Sequence, residues 1–405
     1  MSEKVVIIGG SITGTFTTTA LFRNGFEGKV TLIDENEVYP YNPYKLSKSW
    51  MMDRDEENPP LLKDREYYDE HNIDLKLNTK VDSVDAENKT VTTDRGETIP
   101  YDHLVIASGS KLRKLSFPGD DANGIFYLRY FSDAKEIKDW AKDAKDVAII
   151  GSGFIGLELV STFNQLDKNV SVLVRSGKPL DNVLGEDVAD YFIDMHQSNG
   201  GNFMFGEEAE EFIKDEDGNV TSIRTKNGKT LDTDMVIIAV GVKPNLSFDI
   251  DSLEMEDGIV VVDEYGETSL PDVYAGGDIA KWPYKDRMIH VEHWEIAWSQ
   301  GISIAKNIID KRSNEYDVIP YFWTDQYDQS FEYLGNATDW DETFVRGSIE
   351  DGEFSIAYVD EDNRPLAILY ANGFEERDDL EDLLDKEEPI EESKFTDVNI
   401  PIKEM

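Results

Sequence analysis

The chain has 405 residues, no cysteine, and 84 acidic against 40 basic residues, which gives a formal net charge of −44. Its length allows two or three domains, and its hydrophobic content of 40% excludes a disordered chain. The missing cysteine excludes disulfides, a redox-active cysteine pair and thiolate catalysis. The negative charge argues against nucleic acid and anionic membrane surfaces as partners.

Targeting and membrane signals are missing from the sequence. No apolar stretch approaches the ~20 residues of a membrane span, and a strand pattern that begins at Lys4 leaves no room for a targeting peptide. We therefore expect a cytoplasmic protein with no membrane partner. The acidic residues are spread along the chain, which suggests a surface adapted to high salt. Full stability without added salt would contradict that hypothesis.

The N-terminal region predicts a first dinucleotide-binding unit. A buried strand over residues 5–8 leads into the turn GGSITG at residues 9–14 and then into a helix, and a second strand ends at Asp34. This strand–turn–helix–strand order is typical of a dinucleotide site, where glycines permit the tight turn and a close approach to pyrophosphate. Ser11 replaces the second glycine, but a small hydroxyl still fits. Asp34 is the first candidate for binding a ribose, and Glu35 is the alternative.

The next segments offer weaker signals. The Pro- and Tyr-rich loop at residues 39–50 contains Lys48, a candidate because loops at the carboxyl ends of strands carry ligand contacts. An ordinary surface lysine is the alternative, and spacing alone favours it. Alternating apolar residues between positions 73 and 98 predict a hairpin region. A following strand ends in the small-residue turn at residues 107–109, which would let the backbone approach a ligand closely.

A second, more complete dinucleotide unit follows. A strand over residues 147–150 leads into GSGFIG at residues 151–156 and then into a helical pattern. All three glycines of the fingerprint are present, and the free N–H groups of the helix start would face an anion. The strand that leads to Val240 and Gly241 resembles the strand before residues 107–109, since both end in a turn of small residues. We therefore expect two similar folds, one nested in the other.

The last third of the chain changes character. A strand ends at residues 276–278, GGD, where a fixed carboxylate could bind sugar hydroxyls, and a helix is predicted from about Glu292. His290 and His293 could touch one metal, but a third ligand is not evident, so we expect no metal site. From residue 320 onward, four strand-like pieces at residues 331–335, 344–349, 354–359 and 366–370 precede an acidic helix, which predicts an α+β domain.

These motifs resemble those of the two-dinucleotide-binding flavoprotein reductases. Three segments, Leu46-Ser47-Lys48, residues 291–295 (VEHWE) and residues 320–326 (PYFWTDQ), resemble the oxygenase-coupled ferredoxin and rubredoxin reductase branch. Apoptosis-inducing factor shares that architecture. The resemblance covers essentially the whole chain, and the missing cysteines agree, because the disulfide-reductase branch passes its electrons to a cysteine pair.

The resemblance implies an α/β fold of two nested Rossmann-like domains plus a C-terminal α+β domain. FAD would bind, non-covalently, to residues 1–113 with 242–318, NAD(P)H to residues 114–241, and residues 319–405 would form the last domain. Hydride would pass from the nicotinamide to FAD, and electrons would then leave to a ferredoxin- or rubredoxin-like carrier. The protein would be a monomer or a homodimer.

The resemblance also assigns roles to single residues. Lys48 and Glu158 would flank the reactive nitrogen of the flavin and stabilise charge that develops on it. Asp278 would hold the ribityl chain or pyrophosphate, Trp323 would cover the isoalloxazine edge, and the helix near Glu292 would point its positive end at the pyrimidine. The expected cofactor contacts are Gly9, Ser11, Ile12, Thr13, Gly14, Asp34, Glu35, Lys45, Lys48, Val81, Ala107, Ser108, Gly109, Gly151, Gly153, Phe154, Ile155, Gly156, Glu158, Arg175, Ser176, Lys178, Val240, Gly241, Gly277, Asp278, Glu292, His293, Trp294 and Trp323.

Besides Ser11, two features depart from the branch. The loop before Leu46 usually carries Arg-Pro-Pro, whereas this chain has Pro43-Tyr44-Lys45, so an FAD phosphate contact is lost or is supplied by Lys45. The acidic surface would repel acidic carriers at low salt. High salt or a different acceptor would remove that conflict.

The strand after the second fingerprint bears on nucleotide choice. It ends at residue 174 without a carboxylate, and Arg175, Ser176 and Lys178 follow. An acid in that place would repel a 2′-phosphate, whereas these residues could bind one. We therefore favour NADPH over NADH, with two ordinary surface charges as the alternative.

Two other functions stay open. The first is an NAD(P)H oxidase or a quinone (diaphorase-type) reductase with a small acceptor. The second is a signalling protein like apoptosis-inducing factor, although its DNA binding needs a basic surface that this chain lacks.

Overall fold

The computed structural model describes residues 2–405. Contacts divide them into two compact units. The first comprises the described residues up to Tyr44, Asn58–Lys111 and Val242–Pro320, and the second comprises Lys45–Glu57, Leu112–Gly241 and Tyr321–Met405. The second unit therefore contains both the predicted nicotinamide region and the predicted C-terminal domain. It also contains the short segment that carries Lys48.

Residues 2–405 form short strands, mostly in runs, with α-helices between the runs. The α-helices are α1 Ile12–Arg23, α2 Ser49–Met52, α3 Arg65–Glu70, α4 Phe131–Ala141, α5 Phe154–Gln165, α6 Asp181–Leu184, α7 Glu186–Ser198, α8 Trp294–Ile309, α9 Arg377–Asp385 and α10 Glu392–Phe395. The strands up to Gly241 are β1 Lys4–Ile8, β2 Lys29–Ile33, β3 Asp74–Lys76, β4 Val81–Asp85, β5 Thr90–Thr93, β6 Thr98–Pro100, β7 His103–Ile106, β8 Ser110–Leu112, β9 Ile125–Tyr127, β10 Asp146–Ile150, β11 Asn169–Val174, β12 Asn202–Phe205, β13 Ala209–Lys214, β14 Val220–Thr225, β15 Thr230–Asp232 and β16 Met235–Ile238. The later strands are β17 Val242–Pro244, β18 Asp249–Ile250, β19 Met255–Glu256, β20 Ile259–Val261, β21 Val273–Ala275, β22 Ala280–Tyr284, β23 Arg287–Ile289, β24 Tyr321–Gln326, β25 Gln329–Gly335, β26 Glu342–Ser348, β27 Glu353–Val359 and β28 Pro365–Ala371.

The first unit is built on a five-stranded parallel sheet in the order β21-β7-β1-β2-β3. Its central strands are continuous runs of Val, Ile and Leu because apolar cores cover both faces of the sheet. The strand order reverses beside β1, and ligands of such sheets bind at the carboxyl ends of strands where this reversal occurs. The predicted hairpin region is the antiparallel ladder β4-β5-β6.

The second unit repeats this design. Its parallel sheet has the order β12-β11-β10-β16-β9, with β10 in the position that β1 holds in the first unit. An antiparallel sheet β13-β14-β15 packs its apolar face against the same core. The predicted α/β class with two Rossmann-like folds is confirmed.

The C-terminal part of the second unit is an antiparallel sheet in the order β24-β25-β28-β27-β26, followed by α9. Four of its strands match the predicted strand-like pieces. The edge strand β24 is missing from the sequence-based prediction, because polar Thr324 and Gln326 occupy positions that the fold buries to 1% exposure. Along the described part of the chain, no helix has the length and apolar character needed to cross a membrane.

Candidate functional site

In the first unit, backbone geometry restricts the glycine turn after β1. Gly9 has φ +106°, and a Cβ there would collide with the carbonyl of Ala107. A Cβ at Gly14 would collide with the carbonyl of Gly9, so the start of α1 lies tightly against the strand. Ser11 is exposed at the N-cap of α1, and its hydroxyl does not cap the helix. The first-turn N–H groups, including those of Ile12 and Thr13, therefore remain for an anion.

Asp34 follows β2 as predicted, but its carboxylate bonds to its own chain. Oδ2 accepts the N–H of Gly10 at 2.9 Å, and Oδ1 accepts the backbone and side-chain N–H groups of Asn36 at 2.8 and 2.7 Å. Asp34 is only 7% exposed, and burial raises the pKa of its carboxyl, while these hydrogen bonds oppose the rise. Its visible role is therefore to hold the glycine turn. Glu35, the next residue, is half-buried.

Several other predicted flavin contacts of this unit lie just after the carboxyl ends of β7 and β21. Asp278 follows the Gly276–Gly277 turn, and its Oδ2 accepts the hydroxyl of Ser110 at 2.6 Å. A Cβ at Gly277 would collide with the hydroxyl of Thr13 on α1, which brings the two turns together. Among the described residues, the hydroxyl of Ser108 is buried without a hydrogen-bond partner. A buried unpaired hydroxyl beside a glycine turn is the kind of group that a polar ligand satisfies.

The helix predicted near Glu292 begins at Trp294, with His293 as its N-cap. The ring of Trp294 stacks on that of Trp298 and meets Tyr44 edge to face, and its Nε1 donates to Asn42 Oδ1 at 3.1 Å. His290 Nε2 lies 2.9 Å from the carbonyl oxygen of Asp278. Among residues 2–405, no cluster of three or more His, Asp or Glu side chains is placed to hold a metal.

In the second unit, the glycine turn after β10 has the same geometry as the first. Gly151 has φ +111°, and a Cβ there would collide with the carbonyl of Ala239, just before Val240. A Cβ at Gly156 would meet the carbonyl of Gly151. Gly153, the N-cap of α5, faces open space. The turn, together with Phe154 and exposed Ile155, can therefore receive a pyrophosphate at the start of α5.

The three candidates for nucleotide choice lie after β11, but they differ in their surroundings. Arg175 and Ser176 are exposed, and no described carboxylate pairs with Arg175. Lys178 is bonded to Glu186 at 2.9 Å and to Asp190 at 2.8 Å, and these hydrogen bonds raise its pKa. Lys178 therefore already has two carboxylate partners. Of the two cations, Arg175 is the better placed to bind a phosphate.

The second unit also brings Lys48 and Glu158 together. Lys48 Nζ lies 2.7 Å from Glu158 Oε1, and the two side chains are 15% and 7% exposed. Glu158 lies in the first turns of α5, beyond the glycine fingerprint, and Lys48 immediately precedes α2. An ion pair shielded from water in this way interacts more strongly than a surface pair, but removal of either partner leaves a buried charge.

Two further residues complete the contacts of Glu158. Ser47 donates its hydroxyl to Oε2 at 2.6 Å, and Thr324 donates its hydroxyl to Oε1 at 2.9 Å. Sequence reasoning assigned no role to either residue, although both lie within the segments that carry the resemblance. Their position directly before Lys48 and directly after Trp323 was the available signal.

Lys138 on α4 fixes the segment that carries Lys48. Its ammonium donates to the backbone carbonyls of Trp50, Asp53 and Glu56 and lies 4.1 Å from the centre of the Trp50 ring. Burial lowers the pKa of Lys138, and the nearby carboxylates oppose that change. One lysine thus holds together a loop that has little regular structure, and no sequence motif indicated it.

The remaining predicted contacts are Lys45, Val81, Trp323 and Gly241. Lys45 ends a short 3-10 helix, Val81 is buried at the start of β4, and Trp323 on β24 stacks against Tyr321. Gly241, the last residue of the Leu112–Gly241 segment, has φ +88°. Nothing in the structure assigns these residues a ligand, so their roles stay predictions.

Two matching glycine turns, each at the start of a helix on a parallel sheet, define a protein with two dinucleotide sites. The chain belongs to the pyridine nucleotide-disulphide oxidoreductase family, whose model matches residues 3–301, and a reductase C-terminal domain matches residues 321–405. It is an FAD- and NAD(P)H-dependent oxidoreductase, and the absence of cysteine means that it is not a disulfide reductase.

Individual relatives are similar over most of their length. The ferredoxin reductase subunit of 5,5'-dehydrodivanillate O-demethylase from Sphingobium sp. is 30% identical, over 99% of this chain and 97% of its own. Monodehydroascorbate reductase 2 of Arabidopsis thaliana is 31% identical, over 83% and 82%. In the crystal structure of the covalent putidaredoxin reductase–putidaredoxin complex, the matched chain superposes with a TM-score of 0.92 at 28% identity, covering 99% and 97%.

The residues of the first unit fit FAD. The open first turn of α1, the unpaired Ser108 hydroxyl and the Asp278 carboxylate together offer donors for phosphate and an acceptor for hydroxyls.

A double-mutant cycle tests the buried pair. Replacing Lys48 by Met should lower the free energy of unfolding by about 3 kcal/mol, because the Glu158 carboxylate stays buried without its counter-charge. Adding Glu158→Gln should restore most of that loss. Urea unfolding of the wild type, both single variants and the double variant measures the coupling. Additive losses would show that the two residues are independent.

Proposed function

We propose that this enzyme passes electrons from NADPH through FAD to a ferredoxin-type protein. The observation that carries the proposal is the buried Lys48–Glu158 pair in a chain without cysteine. A disulfide reductase would need cysteines beyond the flavin, whereas a carrier reductase needs only groups that tune the flavin. The Sphingobium relative and the putidaredoxin reductase, both similar over nearly the whole chain, carry such acceptors in their names. We also propose a cytoplasmic location, because NADPH is present in the cytoplasm.

The cofactor supplies the redox chemistry, accepting a hydride and releasing electrons one at a time, and the protein supplies binding and electrostatics. The proposed role of Lys48 is to keep a positive charge near the reacting part of the flavin, where negative charge develops. Glu158 keeps Lys48 in place, and the low exposure of the two side chains limits the access of water that would weaken their field.

We assign the ribose contact of FAD to Glu35, not to Asp34. The Asp34 carboxylate already accepts three hydrogen bonds from the turn and from Asn36, and it is nearly inaccessible. Glu35 follows it in the same loop. Asp34 then contributes indirectly, because it holds the N–H of Gly10 and with it the shape of the phosphate turn.

The surroundings of Arg175 support NADPH. Arg175 is exposed after β11 and pairs with no carboxylate of residues 2–405, and Ser176 beside it offers a hydroxyl. A guanidinium can bind a 2′-phosphate in a bidentate manner. Lys178 contributes less, because Glu186 and Asp190 already neutralise it.

Charge reversal of Arg175 tests this assignment. Arg175→Glu should raise the Michaelis constant for NADPH more than about tenfold, because a carboxylate repels the 2′-phosphate, and should leave that for NADH nearly unchanged. Lys135→Glu, the same kind of charge reversal on the exposed face of α4, is the matched control. Equal Michaelis constants for NADPH in the wild type and Arg175→Glu would refute the assignment.

A second candidate is a reductase of a small acceptor, because the Arabidopsis relative is named for monodehydroascorbate. Turnover with a panel of ferredoxins, a quinone, monodehydroascorbate and oxygen separates the candidates. We expect a ferredoxin to be reduced fastest. Its reduction should also speed up with added salt, because both partners would be acidic and salt screens their repulsion. A faster small acceptor would favour the second candidate.

A further inference from the structure

A line of buried polar side chains continues from Glu158 into the interior of the second unit. Thr324 donates to Glu158 Oε1, and the side-chain nitrogen of Gln326 donates to the Thr324 oxygen at 3.1 Å. His196 Nε2 lies 2.7 Å from Gln326 Oε1. Thr324 and Gln326 are 1% exposed and His196 is fully buried. The line thus connects α5, β24 and α7 without access to water.

The Glu158 carboxylate fixes the direction of every hydrogen bond in this line. Because it is paired with Lys48, Glu158 can only accept, so the Thr324 hydroxyl must donate to it. The Thr324 oxygen must then accept from the amide nitrogen of Gln326. The amide oxygen of Gln326 consequently faces His196 and requires a proton on Nε2.

The far end of the line agrees with this assignment. Burial lowers the pKa of His196 to about 4, so the ring is neutral at pH 7 and its Nδ1 must accept. The hydroxyl of Tyr327 lies 3.1 Å from Nδ1 and can supply that hydrogen. The Tyr327 oxygen in turn accepts from Asn164 Nδ2 at 2.9 Å. Successive donors therefore point in one direction, toward Glu158.

A series of hydrogen bonds whose donors all point toward Glu158 opposes protonation and rotation of the Glu158 carboxylate. A proton on Glu158 Oε1 would leave the Thr324 hydroxyl hydrogen without its acceptor. A new acceptor for that hydrogen would be at hand only if Gln326 turned its amide over and His196 moved its proton. Both side chains are packed in the interior, where reversal leaves unpaired groups. Successive donors also polarise one another and strengthen the last bond.

We propose that His196, acting through Gln326 and Thr324, is a positioning residue that holds the Glu158 carboxylate, and thereby Lys48, in the arrangement used for hydride transfer. This inference rests on the proposed function of the Lys48–Glu158 pair. Sequence reasoning assigned no role to His196, which lies on a different helix from Glu158.

Three variants of the FAD-loaded enzyme test the proposal. Thr324→Val removes the bond to Glu158 and His196→Leu interrupts the line beyond Gln326, whereas His196→Gln keeps an amide nitrogen that can donate to Gln326. Thr233→Val is the matched control, because Thr233 is buried in the same unit and its hydroxyl bonds to the backbone of Asp146 and Met235. Stopped-flow bleaching of the flavin by NADPH gives the limiting rate and the dissociation constant separately.

We expect the variants that break the line to lower the limiting rate of flavin bleaching without raising the dissociation constant for NADPH. Thr324→Val should lower the limiting rate about tenfold, which is the effect of one lost hydrogen bond to a charged group. His196→Leu, which acts through Gln326 and Thr324, should lower the limiting rate by a smaller factor. His196→Gln should restore most of the rate, and Thr233→Val should match the wild type. Folded variants with wild-type limiting rates, or with altered nucleotide binding alone, would overturn the proposal.

Nitrogen NMR of labelled histidine in the FAD-loaded wild-type protein tests the line independently. The line requires His196 to carry its proton on Nε2, and a proton on Nδ1 would overturn the proposal even if every variant failed to fold. The NMR result does not depend on the electron acceptor. If His196 carries its proton on Nε2 but NADPH does not bleach the flavin, the proposed function is rejected and the hydrogen-bond line is retained.

Discussion

The buried ion pair between Lys48 and Glu158 constrains much of the second unit. Lys48 comes from a loop that depends on Lys138 for its place, and Glu158 comes from the helix that starts at the nucleotide fingerprint. Because neither charge could remain buried alone, the contacts around the pair must be correct for the unit to be stable. Ser47 and Thr324 provide the remaining hydrogen bonds. The C-terminal sheet thus has a direct part in the site, since its edge strand supplies Thr324.

Much of this architecture could be predicted from the sequence because it depends on local rules. A glycine is needed where a strand turns into a helix at positive φ close to a neighbouring carbonyl, as at Gly9 and Gly151. The glycines of such turns have a recognisable spacing in the sequence. The pairing of Lys48 with Glu158 was predicted by resemblance alone, since nothing local connects two such distant positions. Strand β24 escapes prediction because its buried face carries Thr324 and Gln326, whose polar side chains hide the usual alternation.

Residues that act through long-range contacts could not be found in the same way. Lys138 and His196 look like an ordinary helix lysine and an ordinary core histidine, and only tertiary packing shows what they bond. Lys178 shows the opposite case, a residue whose predicted role the tertiary structure weakens. Its sequence position predicts phosphate binding, but in the structure it is paired with two carboxylates. In a chain with a net charge of −44, a basic side chain is seldom far from an acid, so exposure and pairing decide which cation can bind a ligand.

The proposed role of the Lys48–Glu158 pair is to serve hydride transfer from NADPH to FAD. Anaerobic mixing of the FAD-loaded protein with NADPH, followed by the loss of flavin colour, tests this role in the wild type and in Glu158→Gln. We expect rapid bleaching in the wild type and bleaching slower by about tenfold or more in the variant, with FAD retained in both. A protein that binds no FAD, or equal bleaching rates in the two proteins, would contradict it.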